Sequence, residues 1–293
     1  MRFDRLGIIE LIEEARACSA RSIFLRPDSK PLFRMGTVLV TSRFSTMTHD
    51  DAVRIEKMLA RESGVLDTET NRVRQDEFVC SLSEAGRVRV GLLRGQRGLA
   101  IELNLISAEM PDLESIGLPL DGGLARRGGS INLVGGYKSK QVGMALIGEY
   151  CDSQASTVVT IEGGIEYDLE KADSWIVQQC SLGDQAALTR ALASLNGGNV
   201  DLLFVEGLSR DSDALALIEL AEQGVDIIVS MKSGAIGALE SAFMTVVGDS
   251  VMDGQARFAA LMGNKYTLGR AKIESNLRQL PQNVSLLSMS NVS

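Results

Sequence analysis

Residues 130–146 read SINLVGGYKSKQVGMAL. An apolar run enters a Gly-Gly pair, a short polar stretch follows, and apolar residues return at wider spacing. That is the shape of a strand, a phosphate-cradling loop and a helix. Such a loop works because backbone N–H groups wrap a β-phosphate while a lysine neutralises charge. The Ser or Thr after that lysine holds magnesium, which gives the pattern G-x-x-x-x-G-K-[ST]. Starting from Gly135, this chain places Lys140 on the second glycine, Gln141 on the lysine and Val142 on the hydroxyl. Gly135, Gly136, Lys138, Ser139, Lys140, Gln141 and Val142 therefore form a degenerate version of the loop. Two roles fit it: a residual anion site at a helix N-terminus, or a structural strand-to-helix turn with two exposed lysines. The second is the favoured expectation.

Other chemistry is scarce. His49 is the single histidine, in STMTHDDAVRIEKMLA, where Thr48 reads as an N-cap and Asp50 and Asp51 fall in the first turn. It reads as a plain helix-start residue, so histidine triads and histidine metal clusters are set aside. Cys18, Cys80, Cys151 and Cys180 are far apart and match no zinc or redox spacing. They read as buried small apolar residues in a reducing compartment. No metal site is expected.

The 293 residues allow two domains. With 45% hydrophobic and 23% charged residues, a packed core is expected. The net charge of −8 argues against nucleic acid as the main partner. Basic residues do cluster, first Arg87, Arg89, Arg94 and Arg97, then Arg126, Arg127, Lys138 and Lys140. They read as solvated loop charges. The opening lacks a signal-peptide core and no apolar stretch is long enough for a bilayer, so a cytoplasmic place is expected.

Elements can be placed by periodicity. Residues 6–19 form an amphipathic helix, SIFLRPD and FRMGTVLVTS strands around a Pro-bearing turn, and residues 49–62 a second helix. FVCSLSEAGRVRVGLLRGQRGLAIELNLI reads as antiparallel strands with Gly turns. These make an α+β domain over residues 1–106. Residues 107–129, with Pro111, Pro119 and many glycines, form a linker with a short helix at 112–116. INLVG, TVVTIEG, DLLFVEG and DIIVSMK are then apolar, β-branched runs without alternation, as in strands buried on both faces. QVGMALIGEYC, GDQAALTRALASLN and SDALALIELAEQG are helical and separate them. Helical segments are expected after Ser233 and a flexible tail over 276–293. Trp175, in KADSWIVQQC, reads as a core or interface anchor.

In order of elements, residues 5–270 resemble the ATPases of type IV pili and type II secretion (PilT/GspE-like). IIELIEEARACSARSIFLRPDSKPLFRMGTVL is similar to that family's opening, RVRVGLLRGQRGLAIELNLIS to its Arg-containing strand pair, and MPDLESIGLP to its linker helix. TVVTIEGGIEYDLE resembles its acidic box, and ALTRALASLNGGNVDLLFVEGLSRDSDALALIELAEQG its Walker B region. The fold class implied is α/β: a small N-terminal α+β, PAS-like domain, then a RecA-like P-loop NTPase-type domain with a mostly parallel sheet over residues 130–275.

The resemblance also implies roles. Glu162 and Glu166 match the glutamates of the acidic box, Glu166 at the general base. Gly163 and Gly164 replace its aspartate and proline. An ungapped Walker B match puts Glu206 on the family's glycine and Gly207 on its glutamate, and a small insertion would restore Glu206. Lys232 replaces the histidine of a further box. One arginine of the strand pair is Asn104, while Arg89 and Arg97 remain for anion contacts between subunits.

Phosphoryl transfer is mostly positioning and charge stabilisation. With the metal ligand, the lysine and one arginine replaced together, ATP hydrolysis is expected to be absent or very weak. The first expectation is thus a non-catalytic structural or regulatory subunit of a pilus, secretion or conjugation machine, with no cofactor. By resemblance it is a homo- or hetero-oligomer, a hexameric ring, partnered by an active ATPase paralogue or an inner-membrane platform protein. The alternative is an ATPase with a rearranged loop, using ATP and magnesium, Lys138 or Lys140, and Glu166 and Glu206 as catalytic residues. Substituting Lys140 then abolishes activity under the alternative and does little under the first expectation.

Overall fold

A computed structural model describes residues 3–116, 129, 131–135, 139–181, 185–195, 199–207, 211–231 and 258–262. The chain divides into two compact units, Met1–Glu109 with Gly164–Glu166, and Met110–Gly163 with Tyr167–Ser293.

The first unit begins with α1 (Arg5–Ala17), capped where Asp4 Oδ1 accepts from Gly7 N at 3.0 Å. Ile8, Ile9, Leu11, Ile12 and Ala15 of α1 are buried, one apolar stripe turned to the core. Strands β1 (Ser22–Leu25), β2 (Leu32–Met35) and β3 (Val38–Thr41) follow, then α2 (His49–Glu62). FRMGTVLVTS is a hairpin rather than one strand, because Gly36 turns the chain at a φ of 59°. α2 opens on a capping box: Thr48 and the Asp51 side chain each bond the other's backbone N–H. His49 is its first residue, as the sequence implies. A short β4 (Leu66–Asp67) and β5 (Arg72–Val73) pair with each other. β6 (Glu77–Leu82), β7 (Gly86–Gly95) and β8 (Gly98–Leu105) complete a six-stranded antiparallel sheet in the order β3-β2-β1-β8-β7-β6. Alternate residues of β6 and β7, including Phe78, Cys80, Val88 and Val90, join α1 and α2 in one core. Cys80 is fully buried, and burial pushes its thiol pKa up to about 12.

The second unit starts with α3 (Leu113–Ile116), inside the short helix read at 112–116. Then come β9 (Ile131–Gly135), α4 (Ser139–Ser153), β10 (Thr157–Glu162), β11 (Trp175–Cys180), α5 (Gln185–Ser194), β12 (Leu202–Glu206), α6 (Asp211–Glu222), β13 (Asp226–Met231) and β14 (Phe258–Met262). The sheet is parallel throughout, in the order β11-β10-β12-β13-β9-β14. Leu203, Val205, Ile227 and Val229 are fully buried in its core, as the unbroken apolar runs imply.

Several expectations are corrected here. The helix read from Gln141 begins two residues earlier, so Ser139 and Lys140 lie on α4 rather than in the loop. WIVQQC is an edge strand, and Trp175 at its start is 64% exposed, so it is no core anchor. Cys18 and Cys180 are exposed, unlike Cys80 and Cys151. Phe258–Met262 is a strand where helices are expected. The tail at 276–293 lies outside the described residues, as do Arg126, Arg127 and Lys232.

α4 is buried on nearly every side, which requires close approach to the sheet. Gly143 makes it possible: a Cβ there would lie 2.4 Å from Cε2 of the buried Phe204 on β12. Gly143→Ala is expected to destabilise the second unit by about 1–3 kcal/mol through overpacking. Denaturant unfolding of this variant beside the native chain checks it.

Candidate functional site

The residues that could do chemistry gather at the carboxyl ends of the parallel strands, where open α/β sheets bind ligands. β9 ends at Gly135 and leads towards α4; Gly136, Tyr137 and Lys138 lie outside the described residues. Ser139 and Lys140 form the first turn of α4. Glu162 is the last residue of β10, and Glu206 is the last of β12.

These elements bring three charges together. Lys140 Nζ lies 2.7 Å from Glu206 Oε2 and 3.0 Å from Glu162 Oε2. The side chains are 7% exposed for Lys140, 0% for Glu162 and 15% for Glu206. The expectation of two exposed lysines therefore fails at Lys140, which is folded inward. Buried charges persist when they are paired and hydrogen-bonded. Glu162 Oε1 accepts from Thr160 Oγ1 at 2.7 Å and from Gln178 Nε2 at 3.1 Å. Glu206 Oε2 also accepts from Gly163 N at 2.9 Å. Glu162 Oε2 is at ion-pair distance from Nζ, yet it is buried without a hydrogen bond. Its link to Lys140 is one of charge rather than alignment.

Ser139 and Val142 are equally committed. Ser139 Oγ and Ser230 Oγ on β13 are 2.9 Å apart, and both side chains are buried. Val142, on the position of the metal-binding hydroxyl, is 3% exposed and packed in the core. Gln141 beside it is half-buried.

The geometry also explains the acidic residue of β12. Gly207 has a φ of 83°, and its N–H donates to Ser230 O at 2.8 Å. A glutamate at 207 would sit in left-handed backbone that side chains resist. Glu206, one residue earlier, remains on the strand and reaches Lys140.

Glu166 is grouped with the first unit, not with this cluster. It is 7% exposed and accepts from Arg89 Nη2. Arg89 also reaches Glu77 Oε1 at 3.4 Å. Its charge is thus engaged within the chain, where an intersubunit contact is expected from sequence. Asn104, in place of the second arginine, accepts from Ser22 Oγ at 2.6 Å. Arg97 is exposed in the turn between β7 and β8 and lines a cleft of about 810 Å³ with Arg26, Arg94 and His49. Sequence reasoning misses Thr160, Gln178 and Ser230 because they are ordinary strand residues. Their signal is position at strand ends, legible once the strand order is known.

Three solved structures share this architecture. The ATPase DotB of Legionella pneumophila superposes with a TM-score of 0.66 at 16% identity, over 84% of this chain and 70% of that one. The pilus retraction motor PilT, solved with bound ADP, gives 0.64 at 21% identity, over 84% and 72%. The fold is the one that DotB and PilT share. DotB of Yersinia pseudotuberculosis gives 0.64 at 17% identity, over 85% and 70%. No family model and no curated protein matches the sequence. The N-terminal α+β unit and the RecA-like unit expected from the PilT/GspE-like resemblance are both present. Among the described residues, no helix is long and apolar enough to cross a membrane.

Removing one member of a buried ion cluster strands the others without compensation. Lys140→Met is therefore expected to cost the second unit about 3–5 kcal/mol. Gln141→Ala, one residue on, is expected to cost about 0.5 kcal/mol. Urea unfolding of the two variants checks the contrast.

Proposed function

We propose that this chain is a catalytically degenerate relative of the pilus and secretion ATPases, acting as a structural or regulatory subunit of such a machine. The observation that carries it is the engagement of Lys140 with Glu162 and Glu206. A working site presents its lysine to the nucleotide's phosphates and its hydroxyl to magnesium. Here the ammonium is held by two carboxylates, the Ser139 hydroxyl faces Ser230, and Val142 is packed in the core. These residues do not fit a magnesium nucleotide in that arrangement. A triphosphate would have to displace Glu162 and Glu206 from Lys140 and then lie against both of them.

The shared fold supports an oligomeric, ring-like role at the cytoplasmic side of such a machine. A catalytically active paralogue or an inner-membrane platform protein would be its partner, and nucleic acid would not. A second reading keeps the enzyme. Lys140 in the first turn of α4, 2.7 Å from Glu206, sits where a rearranged loop would need its lysine. Glu206 would then be catalytic.

Phosphate release from ATP with magnesium separates the two. The proposal expects the native chain and Glu206→Gln to release phosphate at the same rate as buffer. Hydrolysis by the native chain that Glu206→Gln abolishes overturns it.

A further inference from the structure

The family fold implies a metal with its nucleotide, and the site's own residues disagree with that. We infer that Lys140 is a resident cation: its ammonium stands in for a divalent ion and ties the ends of β10 and β12 to α4 in one arrangement that needs no ligand. The inference rests on the non-catalytic reading and says how the site stays folded without its cofactor.

Three observations carry it. First, one nitrogen lies within 3.0 Å of a carboxylate oxygen from each of two strands. A hard cation binds such oxygens at about 2.0–2.6 Å, so an ion at the same point would need the two carboxylates to close by between about 0.1 and 1 Å. Second, Glu162 Oε2 is fully buried and has no hydrogen bond. A buried carboxylate oxygen in that state depends on a nearby positive charge, whatever its source. Third, neutral donors fix both carboxylates. Thr160 and Gln178 hold Glu162 Oε1, and Gly163 N–H shares Glu206 Oε2 with the ammonium. The carboxylates are thus fixed around a point that the ammonium fills.

The position of the lysine makes this a built feature. It is on the first turn of a helix that is buried almost all round, so its backbone does not swing away. A metal would leave with its nucleotide. A tethered ammonium stays, and the strand ends keep one geometry throughout any cycle of a neighbouring subunit. A protein that serves as scaffold beside a motor benefits from that constancy.

The test compares melting temperature in EDTA and in Mn²⁺ for the native chain, Lys140→Met, and Lys140→Met with Glu162→Gln and Glu206→Gln. Mn²⁺ binding is read in parallel by electron paramagnetic resonance. The native chain is expected to melt at the same temperature in both. Lys140→Met is expected to melt lower in EDTA and to recover by about 5 °C with Mn²⁺ at 100 times its dissociation constant, binding one ion. The triple variant has neither cation nor carboxylates and is expected to ignore Mn²⁺. Two results overturn the inference: no Mn²⁺ recovery of Lys140→Met, or a one-ion Mn²⁺ shift in the native chain. The second needs no variant. ATP hydrolysis by the native chain would sink the non-catalytic reading, whereas this inference fails on the manganese response itself.

Discussion

Charge buried at the ends of parallel strands has to be balanced, and in this protein Lys140 balances it. Glu162 has no exposed side-chain surface and Glu206 has little. Two carboxylates so placed would repel each other and lose their hydration without a cation between them. The ammonium supplies that charge from α4, so helix placement, strand register and site electrostatics depend on one another. Gly143 lets α4 approach Phe204 closely enough for Lys140 to reach across. Gly207 takes the left-handed turn that keeps the acidic residue at 206.

The parallel sheet supplies the positions. Its order places β10, β12, β13 and β9 side by side, so residues remote in sequence meet at one edge. In a nucleotide-binding protein that edge receives phosphate and metal. Here the same edge is closed by the chain's own lysine, a serine pair and a buried valine. The architecture is shared with DotB and PilT, whereas the charged side chains at the strand ends interact with each other.

Legibility in the sequence follows the range of the interaction. α2 is readable to its last residue because its capping box and apolar stripe are local. The four buried strands are readable because β-branched apolar runs have no other use at that length. The edge strand at Trp175–Cys180 is not, because two glutamines interrupt its apolar run and it pairs on one side only. Lys140 defeats local reading altogether. In GGYKSK it looks like a loop charge, and its Glu206 partner is 66 residues away. Glu166 shows the same limit: motif order places it in an acidic box, and its bond to Arg89, 77 residues away in sequence, is not legible there. Motif order carries the fold, and the site depends on which charges find each other in space.

The central claim is that the chain's own lysine already satisfies the site. The most direct measurement is the thermal stability of the native chain with and without ATP and magnesium. A ligand at 100 times its dissociation constant adds about 2.7 kcal/mol. The account predicts no shift at millimolar nucleotide. A clear, magnesium-dependent rise in melting temperature would contradict it, because nucleotide would then be taking Lys140 away from Glu162 and Glu206.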